Sequence, residues 1–255
     1  MPMPSIVHIP WKKVVEYTEQ YCNVQVRQII ADCQNVGKMK LSQIRTLLSS
    51  DTGFKTFELC GHIRLGKTAG DLDFHVDTSA VGQDVQLDRP VSMLTLHGLD
   101  PVWHLHPVNS MPLQDLDTHS YMSNFFSLQD VDWCITNPMA ISVICNKVSE
   151  IRAFRFPCIY VFMYVPHLLP SVESTTGPSV PTAELHDTFT AYQRRVVPHV
   201  IEKIHNFTKT KTDCEIDWPT IVEEFRRRCI ILHCLYSYDE MKLYQTIRGL
   251  QQDYR

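Results

Sequence analysis

What this chain of 255 residues lacks narrows its class first. It has no excess of either charge: 24 Lys and Arg against 28 Asp and Glu leave a net charge of −4. No global cation therefore draws it to nucleic acid or to anionic lipid. It has no long apolar run. The longest stretch, Ile159-Tyr-Val-Phe-Met-Tyr-Val-Pro166, falls far short of the ~20 residues a bilayer requires and reads as a buried strand. The opening residues Met1-Pro-Met-Pro-Ser-Ile-Val-His-Ile-Pro10 lack the basic and apolar regions of a secretory leader. No Cys-x-x-Cys pair occurs, and the nine cysteines are odd in number and irregular in spacing. A disulfide framework is not expected from such a pattern. The expectation is a soluble protein of the cytoplasm and/or nucleus, with thiols such as Cys145 acting as small hydrophobes. The 44% hydrophobic content excludes a disordered chain.

The order of elements follows from the period of the apolar residues. Residues 11–34 and 40–49 carry helical patterns, the first entered through Pro10 and the second broken by Ser49-Ser-Asp-Thr-Gly53. From Phe54 to Pro166 the period shortens, and strands are predicted over 55–65, 72–78, 91–97, 102–106, 140–145, 151–156 and 159–165, with a helix over 114–126. Pro, Ser and Thr crowd 168–184, and helices are predicted over 185–207, 218–235 and 238–252. This divides the chain into an N-terminal helical extension (1–38), an α/β domain (39–167), a linker (168–184) and a C-terminal helical region (185–255).

The chemistry concentrates at Val102-Trp-His-Leu-His-Pro107. Alternate strand residues face one side, so His104 and His106 can converge on one point while Trp103 and Leu105 enter the core. Pro107 stops the strand. Eleven residues beyond His106 stands Asp117. Two imidazoles and a carboxylate suit Zn²⁺ with a fourth position left open. Upstream, Glu58 lies between Phe57 and Leu59, an acid in an apolar strand that needs a partner.

Glu58-x-x-Gly61, His104-x-His106-Pro107 and Asp117 resemble the JAMM motif of the MPN-domain metalloproteases, whose pattern reads E-x-x-G, then H-x-H-P-x6-S-x-x-D. Ala140-Ile-Ser-Val-Ile-Cys145 and Ile151-Arg-Ala-Phe-Arg-Phe156 resemble that family's final strands, so that the likeness runs over about 39–165. The resemblance implies an MPN fold, a cytidine-deaminase-like mixed sheet with flanking helices. It also implies a zinc isopeptidase acting on ubiquitin or ubiquitin-like conjugates, with His104, His106 and Asp117 as ligands and Glu58 as base.

Gln114 stands at the position of the family's serine, whose hydroxyl is thought to polarise the scissile carbonyl. Its amide can donate a comparable hydrogen bond, with Ser110 and Ser120 as nearby substitutes. That departure leaves two other expectations open: a weak or inactive MPN scaffold, or a zinc peptidase acting on another amide. His97 and His119 are expected as exposed or capped histidines, and His62 and His75 as ordinary strand residues. Cys229, His233 and Cys234, on one face of a predicted helix, are too few for a second zinc site. Arg226-Arg-Arg228 reads as a solvated face or a partner contact, and the helical ends are where a protein partner would dock.

Overall fold

The computed structural model describes residues 8–49, 51–55, 57–77, 79–82, 100–106, 130, 133–134, 137–148, 150–151, 154–168, 218–227 and 229–254. The centre of the molecule is a mixed seven-stranded sheet. Its strands are β2 (Lys38–Met39), β4 (Cys60–Leu65), β5 (Leu72–Val76), β7 (Val102–Leu105), β8 (Ile141–Cys145), β11 (Ile159–Tyr164) and β12 (Ile230–Leu235). They lie in the order β12-β11-β8-β7-β4-β5-β2. Every neighbouring pair is antiparallel except β7 and β8, which run parallel at the middle. A smaller sheet pairs β1 (His8–Pro10) and β3 (Phe57–Glu58) on either side of β6 (Ser79–Gly82). The stretch read as one strand over 151–156 is a hairpin of β9 (Glu150–Ile151) and β10 (Phe154–Arg155).

Strand alternation divides the apolar residues between the two faces of the large sheet. Leu59, Ile63, Trp103, Leu105, Val143, Cys145, Val161 and Met163 belong to one continuous core. Helices α1 (Trp11–Tyr21), α2 (Val24–Val36), α3 (Leu41–Leu47) and α5 (Glu240–Tyr254) bury Val14, Ile30, Leu47 and Ile247 in that same core. The N- and C-terminal segments thus share one interior with the sheet. The opposite face carries Tyr160 and Phe162, which pack on Trp218 and Phe225 of α4 (Trp218–Arg226). A second cluster on that face gathers Cys60, Val102, Trp133 and Ala140.

Two helical expectations change. The pattern over 11–34 divides into α1 and α2 because Asn23 caps the second helix, its side chain accepting the Val26 N–H at 2.9 Å. The helix expected over 218–235 ends at Arg226, and residues 230–235 form the edge strand β12. Cys229 takes a left-handed conformation (φ 62°) that no helix interior tolerates, and Ile230-Ile-Leu-His-Cys-Leu235 then pairs along all six residues of β11. Cys229, His233 and Cys234 therefore share no helix face, and His233 and Cys234 point to opposite sides of the sheet. Helix 114–126, strand 91–97 and helix 185–207 lie outside the described residues.

Gly61 shows how closely β4 and β5 approach. A Cβ at this position would fall on the backbone carbonyl of His75, the oxygen that accepts the Trp103 Nε1–H at 2.9 Å. The Gly61→Ala variant should therefore lose at least about 2 kcal/mol of stability, since the obstacle is backbone that cannot rotate away. Urea unfolding measures it, and an unchanged midpoint would show that the strands can separate without loss.

Candidate metal centre

Glu58, His104 and His106 come together at the carboxyl end of β7, in the middle of the large sheet. Sites in open sheets gather at such strand ends, where the chain leaves the sheet and side chains stand clear of the ladder. Cys60 pairs with His104 across β4 and β7, and the Leu105 N–H donates to Leu59 O at 3.0 Å. Continuing that register sets Glu58 opposite His106. On its other side Glu58 pairs with Val81 of β6, so its backbone is held from both edges. Leu59, Trp103 and Leu105 face the helical core, and by alternation Glu58, Cys60, His104 and His106 face the other way.

The side chains are buried and close. Glu58, His104 and His106 are 4%, 8% and 7% exposed, too little for bulk water to solvate two imidazoles and a carboxylate. One ligand atom from each lies within 4.8 Å of the others, a group able to hold a metal ion. The two Nε2 atoms are 3.1 Å apart. At that separation either one nitrogen presents a proton to the other, or both lone pairs address a shared cation. Two bonds of about 2.0–2.1 Å at a tetrahedral angle would set the nitrogens about 3.3 Å apart, so the spacing fits a metal of zinc's size.

A second carboxylate completes the cluster. Asp130 Oδ1 lies 3.0 Å from His104 Nε2 and Asp130 Oδ2 3.6 Å from His106 Nε2, while Glu58 Oε1 stands further out, 4.0 Å from His106 Nε2. Burial raises the Asp130 pKa, but the two imidazoles outweigh burial and hold it well below the usual carboxylate range. Its placement follows from local sequence. Asp130, Trp133 and Cys134 have helical backbone, and the spacing i, i+3, i+4 puts all three on one face. All three are buried, and Trp133 packs on Cys60, Val102 and Ala140. The apolar members of that face seat it on the sheet and deliver the carboxylate to the histidines.

Cys60 shares this face, but burial, then Asp77 and Glu58, push its thiol up to about 12. It stays protonated at neutral pH and lines the site as an apolar wall. His62 and His75 stack on each other across β4 and β5, ring centroids 4.6 Å apart and planes 2° from parallel.

Of the residues expected at the site, the structure joins Glu58, His104 and His106. Gln114 and Asp117 lie outside the described residues, as do His97, Ser110, His119 and Ser120. The carboxylate found at the histidines, Asp130, was not foreseen. Its signal was in the chain: Ser127-Leu-Gln-Asp130 repeats the Ser-x-x-Asp spacing of the metalloprotease pattern. Six residues counted from Pro107 lead that pattern to Gln114 and Asp117, whereas the 19 residues 108–126 lead it to Ser127 and Asp130.

No protein-family model, curated protein or solved structure matches the chain. Among the described residues no helix is long and apolar enough to cross a membrane.

Proposed function

We propose that the chain is a zinc-dependent amide hydrolase of the JAMM type with an MPN-like fold, and that its substrates are ubiquitin or ubiquitin-like isopeptide conjugates. The observation that carries the proposal is the buried convergence of His104, His106 and Asp130 on one point, with Glu58 beside it. An interior place for two imidazoles and two carboxylates is costly unless a cation takes up their lone pairs. Two nitrogen donors and a carboxylate match the donor set of catalytic zinc sites, which keep a position open. In this reading Asp130 takes the ligand role assigned to Asp117 from spacing. Ser127, three residues before it, takes the place of the family's serine.

When bound, Zn²⁺ supplies the Lewis acidity that makes water a nucleophile near neutral pH and polarises an amide carbonyl. The rest belongs to the chain. His104 and His106 present Nε2 from a rigid central strand, and Asp130 offers both oxygens from its buried helical face. Glu58, set back from the tightest contacts, takes the proton from the attacking water and returns it to the leaving amine. The apolar wall of Cys60, Val102 and Trp133 keeps bulk water from competing for those hydrogen bonds.

The test is zinc content measured together with cleavage of a panel of linked ubiquitin and ubiquitin-like dimers. The expected result is one zinc per chain and cleavage that a chelator removes and added zinc restores. Protein purified with zinc but inactive on every dimer would favour a peptidase of another substrate class or a binding scaffold. Protein that takes up no zinc would overturn the proposal.

A further inference from the structure

Asn146, the residue after β8, is fully buried, and neither Oδ1 nor Nδ2 of its amide has a hydrogen-bond partner among the described residues. Its backbone is committed on both sides: the N–H donates to Cys158 O at 2.7 Å, and the carbonyl accepts the Tyr238 hydroxyl at 2.7 Å. The backbone position is thus held firmly, while the side chain has no partner among the described residues. An enclosed amide without partners is a standing cost that an apolar residue of the same size would avoid.

The register shows what lies beside it. His104 pairs with Ile144 and Leu105 with Cys145 along the parallel strands, and the His106 N–H donates to Cys145 O at 2.9 Å. One step further sets Asn146 next to His106. Cys145 is in the helical core, so alternation turns position 146 to the face that carries the histidines.

We infer that Asn146 is a positioning residue for the metal centre: its amide and the His106 ring are not hydrogen-bonded to each other in this structure, and its Oδ1 is the acceptor that the Nδ1–H of His106 takes up when Nε2 is given to a cation. This rests on the metal-site reading above. The two Nε2 atoms lie 3.1 Å apart. Once both lone pairs are given to a cation, both rings carry their proton on Nδ1, and each N–H needs a buried acceptor to hold the ring in place. Among the described residues, Asn146 brings an acceptor without a partner to the position that the register sets beside His106. Being wholly enclosed, it acts through that imidazole and does not touch substrate.

The experiment measures zinc affinity by chelator competition on the full chain, for wild type, Asn146→Leu and Asn146→Asp. Asn146→Leu should weaken zinc by about 10–100-fold, the usual loss when a partner of a ligand is removed, while Asn146→Asp, which keeps the acceptor, stays within about threefold of wild type. The zinc-free Asn146→Leu protein should melt no lower than wild type, because the substitution removes an unsatisfied amide. In ¹⁵N spectra of the zinc-loaded protein, the His106 Nδ1 proton should exchange slowly in wild type and rapidly in Asn146→Leu. Equal zinc affinity in wild type and Asn146→Leu would overturn the inference, and so would equal weakening by Leu and Asp. A wild-type protein that binds no zinc would remove the metal reading itself, a result visible before any variant is compared.

Discussion

Exchanging Glu58 for glutamine should lower amide hydrolysis by about 10³-fold and leave one zinc bound per chain. The two halves of this result separate the roles at the site. Glu58 Oε1 is 4.0 Å from His106 Nε2, whereas Asp130 Oδ1 is 3.0 Å from His104 Nε2, so the proposed mechanism gives the ligand role to the closer carboxylate and proton transfer to the more distant one. Glutamine keeps the shape of the side chain and loses its basicity, which removes the general base and little else. Nor should the fold suffer. Glu58 is buried between Phe57 and Leu59, and a neutral amide there avoids the desolvation of a carboxylate. Single-turnover cleavage and metal analysis of one preparation check both halves. Activity within tenfold of wild type would remove Glu58 from the mechanism.

The second large effect distinguishes two carboxylates. Asp130→Asn should weaken zinc by more than about 100-fold, beyond the range typical of an outer partner, while Asp117→Asn should leave affinity within about threefold of wild type. Asparagine preserves the volume on the buried helical face shared with Trp133 and Cys134, so a loss of zinc would reflect a lost ligand charge and not a displaced helix. The expectation rests on the 3.0 and 3.6 Å approaches of Asp130 to the two imidazoles. Circular dichroism of both variants controls for folding. If Asp117→Asn loses zinc and Asp130→Asn retains it, the ligand role belongs to Asp117 and Asp130 is a structural partner of the histidines.

Those two carboxylates also mark where reading the chain succeeds and where it stops. His104-x-His106 was legible because a strand has a period of two: whatever the sheet around them, alternate imidazoles face one side. Glu58 was legible as an acid set in apolar text, a position that demands a partner. Asp130 was passed over because its distance from His106 along the chain is not set by local geometry. The connection between β7 and the next helical face can lengthen without moving either end, and only the packing of Trp133 on Cys60 and Val102 shows which acid arrives. The edge strand β12 was missed for a related reason. Ile230-Ile-Leu-His-Cys-Leu235 has no strong period of its own, and the exposed edge of β11, remote in sequence, decides its conformation.

By itself the sequence determined the local terms. These are an α/β alternation of elements, a central strand with two histidines on one face, an acid upstream that needed a partner, and thiols with no pattern of cross-links. Each follows from a period, a spacing or a residue chemistry that acts over a few positions. The tertiary structure decided every pairing between distant segments. It set Glu58 against His106 through the register of β3, β4 and β7, and it brought Asp130 onto the histidines through an apolar helical face. It also enclosed the Asn146 amide, which has no hydrogen-bond partner among the described residues. Such pairings depend on which surfaces exclude water together, and that is a property of the whole packed chain.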